Sequence, residues 1–451
     1  MRRRTQQRAA TGLGTQHGTG ATATQHGDGI RRRTAAQHRT GTRHGNGIRH
    51  RTGIQRRLTR AITATALAAV VVAGTAGWAA GAKQTAVTGP PPGTASWLAD
   101  DDTLGRPLPD PAAGPDRIAS FFADLDHGRQ QLLARRHPLV VGNLDGAPTE
   151  LRYAANRRAL HAEKRRQRAR AADPSGTPQD RRLARDRAAR CAGLLAHGRR
   201  ILAFDPRGRG QIAEVYGDLA HAERTAVIVP GSDIDLATFD RKGPGKYGTP
   251  AGMAASLRSR MAADSPGTRT AVIAWSGYTT PVGLGPDAAT SRLAAAGAPR
   301  LQRFLHGLAR TGAPAPTVLC HSYGSVVCGR AAARLTSRDA SGLIVFGSPG
   351  MHAESVRELR TPVRIWAARD SGDWIGGVPN VEFAGLGHGT DPVSRGFGAR
   401  VVSSARADGH TGYLAPGTAS LANFAAITLG SYGEVVCASP SPDDPCTRAT
   451  T

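Results

Sequence analysis

Residues 316–328, P-T-V-L-C-H-S-Y-G-S-V-V-C, constrain the fold of this chain more than any other stretch. A short apolar run, Thr317 to Cys320, leads into His321-Ser322-Tyr323-Gly324, and a run without breakers continues from Ser325 to Leu335. This reads as a strand, a tight turn and a helix, with a serine at the apex. Such a nucleophile elbow lifts a serine hydroxyl clear of a sheet edge, and the helix after it aims its N-terminal amides at the same spot. Strand and helix backbones pass closely there, so small residues are needed two before and two after the serine. Gly324 meets the second requirement, and Cys320 stands at the first, where glycine is usual. A bare S-x-G means little by itself; the strand–turn–helix setting makes Ser322 a candidate nucleophile and not merely a turn serine.

The surroundings fit that setting. From Arg200 onward, short apolar runs alternate with helical stretches. Residues 201–204 and 211–215 suggest a hairpin. Residues 225–231, 270–275, 342–346, 363–367 and 400–403 suggest strands, with helices near 249–263, 289–310 and 420–429. Continuous apolar strands between helices predict a mostly parallel sheet covered on both faces.

A serine nucleophile needs a base for its proton and a carboxylate to hold that base in one tautomer. Two strands past the elbow, Arg369-Asp370-Ser371-Gly372-Asp373 offers Asp373 as the acid, with Asp370 as the alternative. After the last strand, Asp408-Gly409-His410-Thr411 offers His410 as the base. His388 precedes that strand and reads as a structural loop residue. His321 adjoins the serine but alternates to the opposite face of its strand. Donors for a developing oxyanion are expected from the backbone N–H of Tyr323 and from Ser232 in Pro230-Gly231-Ser232-Asp233.

The chain of 451 residues carries a formal charge of +25, which would suit a nucleic-acid partner if it were spread evenly. It is not. The excess sits in residues 1–60 and 152–200, and the part bearing the elbow is close to neutral. Neither basic segment carries aromatic platforms or a nucleic-acid motif, so no nucleic-acid partner is expected. Residues 1–60, with H-G-D-G-I-R-R-R-T at 26–34 echoed by H-G-N-G-I-R-H-R-T at 44–52, read as a disordered basic tail. Residues 61–82 hold no charge and come after several arginines, which suits a signal peptide or a membrane anchor with its N-terminus inside. Export to the membrane or beyond is therefore expected for the chain from Lys83 onward. A sixty-residue leader is long for a signal peptide, which points to a start codon further in.

Residues 83–115 are rich in proline and glycine and predict an extended linker. Residues 116–199 predict a helical subdomain, with one pattern ending at His137-Pro138 and two later helices near 149–170 and 179–196. That subdomain could cover the candidate site. Residues 200–436 form the α/β domain and 437–451 a tail. Of the five cysteines, Cys437 and Cys446 are placed to close a short loop in an exported chain. Cys320 and Cys328 are read as two small core residues, although a bond between them is the alternative. No C-x-x-C pair or metal-ligand spacing occurs, and no cofactor or metal is called for.

Several motifs in order resemble an actinobacterial family of α/β-hydrolases known mainly as a domain of unknown function. They are G-N-L-D-G-A-P at 142–148, R-x-x-A-N at 152–156, F-D-P-x-G at 204–208, V-P-G at 229–231, H-S-Y-G-S at 321–325, G-S-P-G at 347–350, H-G-T-D-P at 388–392 and H-T-G-Y at 410–413. The resemblance spans roughly residues 110–435. It implies the α/β-hydrolase fold and a Ser322–Asp373–His410 site, and it departs from the family in having Cys320. The expected function is an exported or membrane-anchored serine hydrolase acting on a small-molecule or lipid acyl bond. A non-catalytic surface protein that keeps the fold to bind a lipid, peptide or secreted partner is the alternative.

Overall fold

The structure, a computed structural model, describes residues 83–439, 441 and 444–447. The basic tail and the apolar segment 61–82 lie outside the described residues. Among the described residues no helix is long and apolar enough to cross a membrane.

One sheet holds eight strands: β1 (Arg200–Asp205), β2 (Gln211–Gly217), β3 (Arg224–Val229), β4 (Thr270–Ser276), β5 (Thr317–His321), β6 (Gly342–Phe346), β7 (Arg364–Ala368) and β10 (Arg400–Val401). Their order across the sheet is β1-β2-β4-β3-β5-β6-β7-β10. The pairs β1–β2 and β2–β4 are antiparallel, and every later pair is parallel. A small antiparallel hairpin, β8 (Glu382–Phe383) and β9 (Leu386–Gly387), stands apart from this sheet.

The helical segment before β1 differs from its sequence reading in two places. The proline-rich stretch is not a free spacer. Its short helix α1 (Thr94–Leu98) buries Trp97 completely beside Ile118, Phe122, Leu133 and Val140, and the Trp97 Nε1–H donates to Pro109 O. Further upstream, the Val87 N–H donates to Thr279 Oγ1. One large aromatic ring and a few backbone bonds are enough to hold such a segment down. The expected single helix up to His137 is two, α2 (Pro115–Ala123) and α3 (His127–Arg136), because Asp126 caps α3 by accepting from the Arg129 N–H at 2.9 Å. After the single turn of α4 (Pro138–Val141), helices α5 (Thr149–Ala172) and α6 (Pro178–Leu194) pair with each other. On α5, Ala159 and Leu160 pack with Ile201 and Phe204 of β1 at the far edge of the sheet, while Leu151 and Ala155 join the core around Trp97. None of the residues gathered around Ser322 comes from this hairpin, so access to Ser322 is set by other loops.

Side-chain alternation decides what each face of the sheet buries. Ile228, Val272, Leu319, Ile344, Phe346 and Trp366 point to one side, against α7 (Pro250–Asp264) and, near the end of the chain, α11 (Ala419–Leu429). Val227, Ile273, Val318, Cys320 and Val345 point to the other. The helices there are α9 (Arg292–Arg310), which the single turn α8 (Pro286–Ala289) precedes, and α10 (Gly324–Ala332). Both faces are thus covered by helices, as the unbroken apolar strands require. This is the α/β-hydrolase fold.

Candidate functional site

Ser322 comes directly after β5 and has φ 53°, a left-handed conformation that costs a non-glycine residue about 1–3 kcal/mol. Its N–H still reaches Phe346 O on β6 at 3.0 Å, so the strained turn remains anchored to the sheet. Gly324 opens α10 where a Cβ would stand 2.5 Å from Val229 O, which explains the absence of a side chain there. Two residues before the serine, Cys320 is disulfide-bonded to Cys328. This corrects the reading of the two as unbonded core residues. Alternation turns Cys320 toward α10, and Cys328 lies one helical turn inside it, on the buried side. Cys437 and Cys446 form a second disulfide, and Cys191 is a buried free thiol.

The serine, the histidine and one aspartate meet. His410 Nε2 lies 2.9 Å from Ser322 Oγ, and its Nδ1 lies 2.9 and 3.1 Å from the two Asp373 oxygens. Asp373 is fully buried at its carboxylate and also accepts from Tyr413 OH at 2.7 Å and from the Ile375 N–H at 2.9 Å. Burial pushes this carboxyl up, but the bonds from His410, Tyr413 and Ile375 outweigh it and hold the group below the usual carboxylate value. An ionised Asp373 can only accept, so the proton of a neutral His410 sits on Nδ1. Nε2 is then left with a lone pair facing the Ser322 hydroxyl. Asp370 does not take part: its carboxylate accepts from the Gly372 and Gly409 N–H groups and shapes the turn below His410.

Three further residues support this line. Gly347 has φ 54°, and a Cβ there would come within 3.1 Å of Asp373 Oδ2 and 3.3 Å of the His410 ring. Trp374, next to the acid, lays its ring 4.7 Å from that of His410 while staying 47% exposed. His321 does point to the opposite face of its strand, but that face backs onto the His410 loop. Its Nε2–H donates to His410 O at 2.8 Å, and the two rings lie 4.8 Å apart. Burial drives the His321 pKa down to about 3, so it is a neutral spacer beneath the base. The sequence reading missed the parts played by Tyr413 and His321, since neither strand period nor motif spacing states which loop folds under which.

The two expected oxyanion donors are both available. The Tyr323 and Ser232 N–H groups have no acceptor among the described residues. The loop after β3 presses on the nucleophile: a Cβ on Gly231 would lie 2.5 Å from Ser322 Cβ and 3.1 Å from Tyr323 N. This loop is held by Tyr278 OH donating to Pro230 O, by the Asp233 N–H donating to Pro281 O, and by the Gly283 N–H donating to Asp233 Oδ1. His388 stays outside the line; its Nε2–H donates to Ala288 O, and its ring stands edge-on to Tyr323.

Around this point the surface is unusually apolar. Val282, Leu284, Trp374, Val381, Phe383 and Leu386 are between 47% and 81% exposed, which is costly for side chains of this size unless something apolar meets them. Their loops converge. Residues 281–283 are tied to Asp233, while Leu386 bridges to Thr290, whose carbonyl accepts from Tyr323 OH. A groove of about 690 Å³ between β2, α7 and residues 416–421 contains none of the three residues of the Ser–His–Asp line. Among the described residues there is no group of three or more His, Cys, Asp or Glu that could hold a metal.

A family described as "Alpha/beta hydrolase" matches residues 205–383, a span that includes Ser322 and Asp373 and stops before His410. Proteins of two Mycobacterium tuberculosis strains, named only as uncharacterized, are 29% identical over 384 residues, covering 72% of this chain. The chain spans 57% of the length of those relatives. Among solved structures, a predicted CIB-like hydrolase from Thermoplasma acidophilum matches 52% of this chain and 97% of its own at 13% identity, with TM-score 0.30. A 2,6-dihydroxy-pseudo-oxynicotine hydrolase matches 76% of this chain and 96% of its own at 11% identity, with TM-score 0.31.

Proposed function

Taking the α/β-hydrolase fold as the starting point, we propose that this protein is a serine hydrolase that cleaves an ester or related acyl bond. The observation that carries this reading is the 2.9 Å contact between His410 Nε2 and Ser322 Oγ, continued through Nδ1 to the buried Asp373 carboxylate. Ser322 Oγ attacks the acyl carbonyl as His410 Nε2 takes its proton. The carbonyl oxygen gains charge against the Tyr323 and Ser232 N–H groups. His410 then passes the proton to the departing alcohol, leaving the acyl group on Ser322. Water, deprotonated by the same nitrogen, releases the acid and restores the serine. The apolar rim favours a substrate with an apolar acyl group, of which a lipid is the natural source.

The site belongs outside the cytoplasm in this reading. Two disulfides among the described cysteines suit an oxidising compartment, and residues 61–82 supply the export signal or anchor. Fractionation of cells that express the full chain tests this, and recovery of the protein in the soluble cytoplasm would refute it.

The reaction itself is tested by labelling the full-length protein with a fluorophosphonate probe. Wild type is expected to label and Ser322→Ala not to, with turnover of acyl esters falling on the order of a millionfold. A folded wild type that resists the probe and hydrolyses no ester would favour a non-catalytic protein that uses the same apolar rim to bind.

A further inference from the structure

Three of the motifs read from the sequence, G-N-L-D-G at 142–146, Arg152 and F-D-P-x-G at 204–208, have no part in the acyl site. They converge with α9 on a cavity of about 260 Å³, roofed by Pro90, Pro91, Pro111 and Ala112. Four arginines and two aspartates line it, so it carries an excess of positive charge.

Most of its polar groups are mutually satisfied. Asn143 uses its amide on both backbone groups of Phe204 and on Leu139 O, which joins the motif to β1. Asp145 lies between Arg152, at 3.2 Å, and Arg303, at 3.5 Å. Arg207 grips Asp205 with its fork. Arg303 also donates to Pro111 O and Ala112 O, holding the roof in place.

Two neighbouring groups are not satisfied. Arg300 donates from Nε to Gly277 O at 2.6 Å and from Nη2 to Gln211 Oε1 at 2.7 Å, and no carboxylate among the described residues is within ion-pair distance of it. Gln211 is only 4% exposed, and its Nε2 has no partner among the described residues. The amide cannot be turned to relieve this, because Arg300 requires an oxygen facing it. Asp205 and Asp145 act on this largely buried guanidinium only from beyond ion-pair distance, so beside the orphaned amide donor it keeps N–H groups that no carboxylate meets directly. Burial accordingly pulls the Arg300 pKa below its ordinary value. Both residues line the same cavity.

We propose that this cavity is a binding site for a small oxyanion, a carboxylate or a phosphate, received by the remaining Arg300 N–H groups and Gln211 Nε2. A planar guanidinium matches the paired oxygens of either group. The volume equals that of roughly nine waters at ~30 Å³ each, room for inorganic phosphate or an acid of a few carbons. This site is separate from the acyl site. Gln211 begins β2, and the order β2-β4-β3-β5 sets three strand spacings, about 14 Å, between it and the strand that ends at Ser322.

The test is calorimetric titration of the full chain with inorganic phosphate, glycerol 3-phosphate and succinate, against chloride at matched ionic strength. One saturable site per chain is expected for at least one of the three. The phosphate and succinate arms tell the two chemistries apart. Arg300→Met should weaken binding about tenfold or more. Gln211→Leu, which keeps the shape and removes only the amide, should weaken it severalfold even if Arg300→Met fails to fold. Ser322→Ala should bind as wild type does, which separates this site from the proposed hydrolysis. The absence of saturable binding for all three anions overturns the proposal. Binding that survives Gln211→Leu unchanged also overturns it, because the anion would then be resting on surface arginines.

Discussion

The two aspartates at 370 and 373 are chemically alike and three residues apart, yet they are held for different ends. Asp373 is sealed from water and takes three donors, one of them the His410 Nδ1–H. Asp370 reaches backbone N–H groups at the turn's surface. Asp373→Asn would place an amide NH₂ or a weaker acceptor against Nδ1 and spoil the tautomer that leaves Nε2 free. We expect turnover to fall about ten-thousandfold with binding little changed. Asp370→Asn should lower it by no more than about tenfold. Steady-state kinetics on a chromogenic ester distinguish the two, and equal losses would mean that the acid is misassigned.

At the scale of the element, β5, the turn and α10 behave as one clamp. Ser322 is strained at φ 53°, and Cys320–Cys328 ties the strand before it to the helix after it. Strain persists only where the surroundings over-determine it. The bond closes a short loop, so the double change Cys320→Ala, Cys328→Ala should lower unfolding free energy by about 2–3 kcal/mol in urea denaturation. Unchanged stability would make the bond incidental. The loops around the mouth are a second such element. If their apolar side chains meet the acyl group, Leu284→Ser with Phe383→Ser should raise KM severalfold for long-chain esters and leave acetate esters alone. A uniform change across chain lengths would instead mean general damage to the site.

For the whole molecule, acid is the expected weak point. His321 is buried with its pKa at about 3 against an ordinary 6.5. The unfolded chain therefore binds a proton that the folded chain refuses, and stability falls as pH drops from about 6.5 toward 3. The loss from this group is on the order of a few kcal/mol. Carboxylates add to it at lower pH. Asp100, lowered to about 2 chiefly by its bond with His137, contributes stability above its ordinary 3.8 that is lost as pH falls toward 2. Guanidinium midpoints measured from pH 7 to 4.5 should fall for wild type and fall less for His321→Gln, whose amide can still donate to His410 O. Parallel decline in both would place the acid sensitivity elsewhere.

Most of the sheet, Ser322 and His410 are legible in the sequence, which leaves the acid open between Asp373 and Asp370. Unbroken apolar runs dictate doubly covered strands, and S-x-G between a strand and a helix dictates an elbow. The order of loops after later strands brings His410 and the loop of Asp370 and Asp373 to it. These are local patterns with a fixed period, legible without partners. What depends on distance between segments remote in sequence came from packing, which set Asp373 and not Asp370 against His410. It put His321 under His410, Tyr413 on Asp373, and Trp97 of the supposed linker into a helical core. It joined Cys320 to Cys328, a choice that hinges on which face of β5 meets α10. It also left Arg300 without a direct ion pair among the described residues, and no spacing rule foretells that, because charge pairing between separate elements is settled by packing alone.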